Sequence, residues 1–581
     1  MDGKGSRCRR LAAATLVLAG TTAFFAATRA EGRNEHARTT ARPWWRDAVF
    51  YEIYPRSFKD TNGDGIGDLN GITESLDYLA DLGIDALWIT PFYPSPQADF
   101  GYDVSDFENV DPQFGTLADF DRLIREAHRR GLRVIVDMVL NHTSSQHPFF
   151  RSARASKASP YRDFYLWRDP DRGGPPNNWY SWAGFSPSAW ELDAATGQYY
   201  YHTFLVEQPD LNWRNPAVER RMFQSVKFWL DRGVDGFRLD AIDCLVEDAR
   251  FRDNPIVPER RPGSRDHVQY RRYNLSLPET HAALRRLRAL VDARTPPRVL
   301  IAETWFQTFE DLMAYYGPHD DEVQLPFNFS LLARVESLDA RAFRRQVEDA
   351  ERALAGRPTT YVLSNHDVSR AISRLGDGVH DEAIGKLLAT MLLTLRGAPF
   401  LYYGEEIGMV NNDPKRLEDV KDPVGRLNWP QVKGRDGERG PMQWSAKPGA
   451  GFTTGRPWLP IGPGAERRNV AAQGGNASSM LAYTKQLLRL RRQSRALREG
   501  DYASVGQDPQ VFAYRRAAAG ETVVVALNLS GSSRTIALPQ RSLRVRAGST
   551  RQPGAPIDGN PLALAPYEAV VLEVAGEPKR P

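Results

Sequence analysis

Eight short apolar runs punctuate the chain at 49–54, 86–90, 134–139, 236–240, 299–304, 323–327, 361–365 and 400–403. Most of the gaps between them hold segments whose apolar residues recur three and four positions apart, the spacing of one helix face. Helices are expected at 117–130, 217–232, 278–293, 340–354 and 381–395, and two of these stop at Arg130-Gly131 and Arg232-Gly233. Glycine suits a helix C-cap because it enters the left-handed region freely. Eight such runs alternating with helical segments suggest an α/β chain folded as a (β/α)8 TIM barrel.

Two stretches break the repeat. Residues 141–212, after the third strand, are rich in Pro, Gly, Trp and Tyr and read as an inserted B subdomain. Its aromatic residues Phe164, Trp167, Trp179, Trp182 and Phe185 read more as the core of that unit than as a stacking wall for a ligand. Beyond about Arg498 the pattern turns to short alternating runs at 511–515, 522–527, 534–538 and 569–574, as in a separate C-terminal antiparallel β-sandwich domain at 498–581. The barrel then occupies 44–140 and 213–497, a division that 581 residues accommodate.

The formal charge of +4 resides in the first thirty residues, where Lys4, Arg7, Arg9, Arg10 and Arg29 face only Asp2. The remainder is balanced, so composition makes no case for nucleic acid or an anionic membrane as partner. A basic start, an apolar run over 11–27 and the small-residue end Thr28-Arg29-Ala30 read as a signal peptide over 1–30. Secretion or periplasmic export is expected, with no stable membrane insertion after cleavage. Cleavage removes Cys8 and leaves Cys244 alone, which excludes an intramolecular disulfide and a cysteine metal site.

In a barrel the C-terminal ends of the strands converge on one mouth. Here they carry Asp137-Met138-Val139-Leu140-Asn141-His142, Phe237-Arg238-Leu239-Asp240, Ala302-Glu303-Thr304-Trp305 and Ser364-Asn365-His366-Asp367. Period-two alternation places Arg238 and Asp240 on one strand face, where the guanidinium can hold the carboxylate ionised. Converging carboxylates with histidines and an arginine, and no phosphate-cradling glycine loop, suit cleavage of a glycosidic bond. On this reading Asp240 attacks the anomeric carbon, and Glu303, between an alanine and Trp305, protonates the leaving oxygen from a raised pKa. Asp367 is a third carboxylate for binding and distorting the sugar.

A second constellation is Asp60-Thr61-Asn62-Gly63-Asp64-Gly65-Ile66-Gly67-Asp68. Oxygen-bearing side chains stand at every second position, Gly65 permits a sharp turn and Ile66 can offer its carbonyl, which is calcium-loop spacing. Gly71 stands where an EF-hand has its bidentate glutamate, so this is not an EF-hand.

These stretches, with Gln208-Pro209-Asp210-Leu211-Asn212-Trp213, the run from Gly397 to Glu406 and Pro441-Met442-Gln443-Trp444, resemble the α-amylase family of glycoside hydrolases (family 13). The likeness is closest to its α-glucosidase and oligo-1,6-glucosidase branch and extends from about Trp44 into the C-terminal domain. It implies Asp240 as nucleophile, Glu303 as acid/base and Asp367 as transition-state stabiliser, with His142, Arg238 and His366 holding the sugar at the cleavage point. It further implies Tyr102 as a stacking platform and Asp103 as acceptor from the non-reducing-end hydroxyls. A pair between Asp103 and Arg439 would close the pocket behind one glucose. In the resembling branch the loop of Asp60, Asn62, Asp64, Ile66 and Asp68 is a structural calcium site, with magnesium as the other candidate ion.

The expected activity is therefore that of a retaining α-glucosidase acting on terminal non-reducing α-linked glucose of small oligosaccharides. Ala241 stands where 1,6-selective members of the branch tend to carry valine, which favours α-1,4 or broad specificity. The competing readings are a transglucosylase or isomerase, such as a trehalose or isomaltulose synthase, and a non-catalytic protein like the membrane-anchored heavy chains of amino-acid transporters. The heavy chains generally lack the catalytic set that Asp240, Glu303 and Asp367 complete here.

Overall fold

The expected strands form β1 (Phe50–Ile53), β2 (Ala86–Ile89), β3 (Arg133–Val139), β4 (Gly236–Asp240), β5 (Val299–Ala302), β6 (Leu325–Pro326), β7 (Thr360–Val362) and β8 (Ala398–Tyr402). They belong to a computed structural model that describes residues 42–182, 186–256, 269–539, 542–557 and 559–574. The expected signal peptide with Cys8, and Phe185, lie outside the described residues. The strands pair in parallel in the order β7-β8-β1-β2-β3-β4-β5-β6, chain order with one seam between β6 and β7. That seam coincides with Pro326, which has no N–H to give a ladder. The Thr360 side chain takes its place: Oγ1 accepts from Asn328 N at 2.8 Å and donates to Pro326 O at 3.2 Å. The sixth strand is accordingly two residues long, shorter than the run over 323–327 suggests.

Every residue of β1, β2, β4, β5 and β8 is buried, because the barrel interior covers one face and helices the other. Phe50, Trp88, Ile135, Val299, Ile301, Val362 and Phe400 fill the barrel, with Phe50 and Phe400 stacked at 4.5 Å. Their neighbours Tyr51, Leu87, Val134, Val136, Phe237, Leu239 and Leu300 face the helices. The helices appear at Leu117–Arg129, Pro216–Asp231, Pro278–Asp292, Ala340–Leu354 and Asp381–Thr394. Thr116 and Asp119 form a capping box at the first of them. Gly236 opens β4 with Val299 so close that a β-carbon would stand 2.2 Å from its carbonyl oxygen, so only glycine fits this register.

The inward parity set by the apolar residues carries straight into the mouth. Phe50 is followed two residues on by Glu52, Ile135 by Asp137, Gly236 by Arg238 and Asp240, and Ile301 by Glu303. The ionisable groups converge because they stand at the same strand positions, two residues apart, as the side chains that fill the barrel.

After β3 the chain forms a helix, Pro148–Ala155, and a three-stranded antiparallel sheet in the order Trp167–Arg168, Gln198–Tyr201, Trp190–Asp193. Trp167 stacks on Phe150 at 5.6 Å, Trp179 on Trp190 at 6.2 Å, and Phe164 packs partly buried on the main core. These rings are core, as expected; Trp182 is the exception and faces the cavity described below. At the C-terminus a six-stranded antiparallel sheet runs in the order Asp501–Ser504, Val511–Ala518, Glu521–Asn528, Ala569–Val574, Leu543–Gly548, Pro556–Ile557. A two-stranded sheet, Arg534–Ile536 with Leu562–Leu564, completes this part. Val511, Val524, Ile536, Leu562, Val570 and Leu572 form one apolar cluster between the sheets. Among the described residues no helix is long and apolar enough to cross a membrane.

Candidate active site

A cavity of about 480 Å³ opens at the C-terminal ends of the strands, lined in part by Asp99, Tyr102, His142, Asp240, Glu303, Asp367 and Arg435. The strand parity explains the centre of its floor. Arg238, at the inward position of β4, is 2% exposed and donates from Nη1 to Asp137 Oδ1 at 2.9 Å and Asp240 Oδ1 at 2.6 Å, and from Nη2 to Glu303 Oε2 at 2.6 Å. One guanidinium thus serves three carboxyl groups. Burial outweighs that shared attraction: Asp240 and Glu303 are each pushed up to about 7 and Asp137 to about 6. The raised value of Glu303 agrees with its expected role. That of Asp240 departs from the expectation that Arg238 would keep it charged, because burial, with the neighbouring charges of Asp137 and Asp367, outweighs the attraction of Arg238.

The hydrogen bonds distinguish the two carboxyls. Glu303 is held at both oxygens, Oε1 by the Trp305 indole at 3.1 Å and Oε2 by Arg238 and the Ala241 N–H at 3.1 Å. Asp240 is held through Oδ1, and among the described residues Oδ2 accepts no hydrogen bond. A fixed acid therefore faces a carboxylate with one free oxygen.

Asp367 has the opposite electrostatics. Arg435 Nη1 and Arg439 Nη2 each donate to Oδ1 at 2.9 Å, and His366 Nε2 lies 3.3 Å from Oδ2. Burial alone would raise its pKa, but His366 and the two arginines hold it well below the usual carboxylate range. Asp367 is an anion at any working pH.

Several expected sugar contacts sit one layer back. His366 is 1% exposed, sandwiched between Tyr54 (6.1 Å, 11°) and Tyr102 (5.3 Å, 6°). Its Nδ1 lies 2.6 Å from Glu52 Oε1 and its Nε2 2.7 Å from the Tyr102 hydroxyl, so it is taken up beneath Tyr102 instead of reaching into the cavity. Burial lowers its pKa to about 3, which keeps it neutral. Arg238 likewise lies beneath the carboxyls. His142 does line the cavity, close to Gln208 Nε2 at 3.1 Å and the Tyr102 carbonyl at 3.2 Å, and is also neutral, lowered to about 4 by burial.

The expected pair of Asp103 and Arg439 does not form. Asp103 is fully buried and accepts from Ser95 Oγ at 2.7 Å and from the N–H groups of Ala98 and Asp99 at 3.0 Å each, so it ties its own loop together. Arg439, also fully buried, donates to the His366 carbonyl at 2.7 Å and to Asp367. The pair that closes one end of the cavity is Asp99 with Arg435, at 2.5 Å, anchored by Asp422 at 2.7 Å. The turn at Phe100 and Gly101 (φ 48° and 112°) sends Asp99 to the cavity and Asp103 into the protein. No local pattern in the sequence separates these two aspartates, or Arg435 from Arg439. Asp137 and Glu52, by contrast, could have been found from the inward parity of their strands.

The loop of Asp60, Asn62, Asp64, Ile66 and Asp68 stands apart from the cavity. Asp60 accepts from the N–H groups of Asn62, Gly63 and Gly65 at 2.7–2.9 Å and from Thr453 Oγ1, and Asp68 accepts from Thr61 N and Gly71 N at 2.8 Å. Gly63 and Gly65 take φ of 83° and 89° to wrap it. The donor set is oxygen only, as a hard cation requires. Among the described residues no three His, Cys, Asp or Glu side chains converge as a metal cluster, so an ion here would draw on the Asn62 amide and Ile66 carbonyl oxygens as well as the aspartates.

Residues 52–500 match the family model of the α-amylase catalytic domain, and residues 511–571 that of the α-amylase SusG C-terminal domain. The chain is 44% identical to a probable α-glucosidase of Rhizobium meliloti (strain 1021), over 87% of this chain and 93% of that protein. It is 38% identical to an oligo-1,6-glucosidase of Parageobacillus thermoglucosidasius, over 86% and 92%. A solved structure of the α-glucosyl transfer enzyme XgtA superposes with a TM-score of 0.85 at 42% identity, covering 92% of this chain and all of that one. The chain belongs to the α-amylase family of glycoside hydrolases, in its α-glucosidase and oligo-1,6-glucosidase branch.

Proposed function

We propose that the enzyme removes single glucose units from the non-reducing ends of short α-linked glucosides with neutral leaving groups, α-1,4 or broad in linkage. The observation that carries this reading is the closed end of the cavity, where Asp99 and Arg435 stand 2.5 Å apart and Arg435 also holds Asp367. Asp99 and Asp367 accept from the hydroxyls of that glucose, Tyr102 lies against its ring and His142 donates to it. The free Oδ2 of Asp240 attacks C1 while Glu303 gives its proton to the glycosidic oxygen, forming a β-glucosyl ester. Water then opens the ester, its proton going to Glu303, and glucose leaves in the α configuration.

Among the described residues the cations lining the cavity are Arg374, which donates to the carbonyls of Val335 and Leu363, and Arg435, which is taken up by Asp99, Asp367 and Asp422. Proton NMR of the first-formed product tests the mechanism: α-glucose appearing first supports it, and immediate β-glucose rules it out. Asp240→Asn is expected to cut turnover by about 10⁴-fold or more with the fold intact. The second reading, glucosyl transfer or isomerisation, uses the same ester with a sugar in place of water, and product analysis at high maltose or sucrose separates the two.

We propose in addition that the loop of Asp60, Asn62, Asp64, Ile66 and Asp68 binds calcium, or magnesium in its place, and that the first thirty residues direct export. The oxygen-only donor set supports the first and the basic start with its apolar run the second. The ion would brace the loop and takes no part in the bond cleavage.

A further inference from the structure

Glu438 lines the cavity at 3% exposure and, among the described residues, has no ion pair of its own. Arg439, the next residue, pairs with Asp367 and Asp422 instead, at 2.9 and 3.7 Å. A carboxyl buried without a cation is costly to ionise, and burial, with the charges of Asp413 and Asp422 adding to it, pushes Glu438 up to about 8. At neutral pH it therefore keeps its proton and can donate a hydrogen bond as well as accept one.

One amide fixes this carboxyl beside a hydroxyl. Asn411 Nδ2 lies 3.2 Å from Glu438 Oε2, 3.0 Å from Ser369 Oγ and 3.2 Å from Asp413 Oδ1, while Asn411 Oδ1 accepts from Arg370 N at 2.9 Å. The amide is held at both ends and has two hydrogens for three acceptors. Ser369 lines the cavity too. Among the described residues its hydroxyl hydrogen goes to no acceptor, and Glu438 Oε1 has no hydrogen-bond partner and reaches solvent. Neither residue bonds to Asp99, Asp240, Glu303 or Asp367, the groups around the glucose that is removed, so the two belong to the wall beyond it.

Two adjacent groups that each give and take a hydrogen bond match two neighbouring hydroxyls of a sugar ring. A site built for hydroxyls discriminates against a ligand without them, because its own polar groups are then left unpaired.

We propose that Ser369 and Glu438 bind neighbouring hydroxyls of the second sugar, the one that leaves, and select a sugar over a simple alcohol on that side of the cavity. This rests on the α-glucosidase reading above and gives it two specificity residues outside the carboxyls that break the bond. Their hydrogen bonds are made to the leaving sugar alone, so their loss shows only with substrates that carry one.

The test is a ratio: kcat/KM for the better of maltose and isomaltose divided by kcat/KM for methyl α-glucoside, compared between variant and wild type so that the difference in leaving oxygens cancels. Glu438→Leu and Ser369→Ala are each expected to lower this ratio by about tenfold, the scale of a hydrogen bond whose partner is left unpaired. Glu438→Gln, which keeps a donor and an acceptor in the same place, is expected to hold it within about threefold. Thermal unfolding checks each variant, and Ser369→Ala carries the test if Glu438→Leu does not fold. A ratio left unchanged by either folded variant, or a fall in Glu438→Gln as large as in Glu438→Leu, overturns this proposal alone. A wild-type enzyme that hydrolyses no α-glucoside overturns the α-glucosidase reading and this one with it.

Discussion

Ala241 stands in the left-handed region, at φ 46° and ψ 35°, and its N–H donates to Glu303 Oε2 at 3.1 Å. The residue after the proposed nucleophile thus holds the proposed acid through its backbone. Valine at this position is expected to act through conformation before it acts through size. A β-branched residue in the left-handed region costs about 1–2 kcal/mol. Ala241→Val should lower the melting temperature and kcat together, whereas Ala241→Gly should keep both close to wild type. Kinetics on maltose and isomaltose with the two variants separate backbone strain from crowding of the leaving group; an unchanged isomaltose-to-maltose ratio in Ala241→Val discards a specificity role for this position.

Asp99 and Asp103 offer a paired test of the closed end. Asp99→Asn removes the charged partner of Arg435 in the cavity and should lower kcat/KM for maltose by about 10- to 100-fold, the scale of a charge-assisted hydrogen bond. Asp103→Asn disturbs a buried acceptor of three hydrogen bonds and should cost about 1–3 kcal/mol of stability, while the folded variant retains wild-type kinetics. The reverse pattern, kinetic loss at Asp103 and none at Asp99, would overturn the placement of the closed end.

The contrast between these two aspartates shows what the sequence could and could not carry. The eight strands and the inward set of Asp137, Arg238, Asp240 and Glu303 follow from apolar runs and period-two parity, because side-chain direction along a strand is a local property. Asp99, Arg435 and Trp182 come from loops, where a turn such as Phe100-Gly101 decides which side chain faces the cavity and nothing in the local pattern announces it. The short sixth strand was legible from Pro326 in retrospect, but the Thr360 hydroxyl that bridges the seam depends on a contact between segments more than thirty residues apart.

Asp240 and Glu303, both pushed up to about 7 by burial, tie activity and stability to the same pH range. The proposed mechanism needs Asp240 ionised and Glu303 protonated, so kcat/KM is expected to fall on the alkaline side near pH 7 as Glu303 loses its proton. For stability, the folded state binds more protons than the unfolded state between about pH 4, the ordinary carboxylate value, and about 7. Stability contributed by these groups therefore declines as pH rises through that window. Asp240→Asn removes one carboxyl that burial disfavours, and it should melt higher than wild type at pH 8, with the gap closing towards pH 4. Thermal unfolding of the two proteins across that range checks the sign; a variant that is less stable at pH 8 contradicts it.

The loop of Asp60 and Asp68 reaches beyond its own segment, since Asp60 N donates to the Phe452 carbonyl at 2.9 Å, Trp458 N donates to the Gly65 carbonyl at 3.0 Å and Thr453 Oγ1 donates to Asp60. Gly65 lies so close to Arg456 that a β-carbon would meet its carbonyl oxygen at 1.9 Å. A cation held by this loop would therefore stabilise the contact between the start of the barrel and the segment after Trp444, away from the bond being cut. Chelation of calcium is expected to lower the melting temperature without changing kcat below that temperature. Asp64→Asn should abolish the response to chelator and calcium, because among the described residues the Asp64 carboxylate bonds only within the loop, to Ile66 N and the Asn62 amide, so its loss spares the bridge to Phe452 and Thr453. Asp60→Ala should lower the melting temperature whether or not calcium is present, since it also removes the carboxylate that accepts from Thr453 Oγ1 and from the N–H groups of Asn62, Gly63 and Gly65. Chelation that leaves the wild-type melting temperature unchanged would count against an ion at this loop, and a loss of kcat at constant fold would place the ion in the chemistry instead.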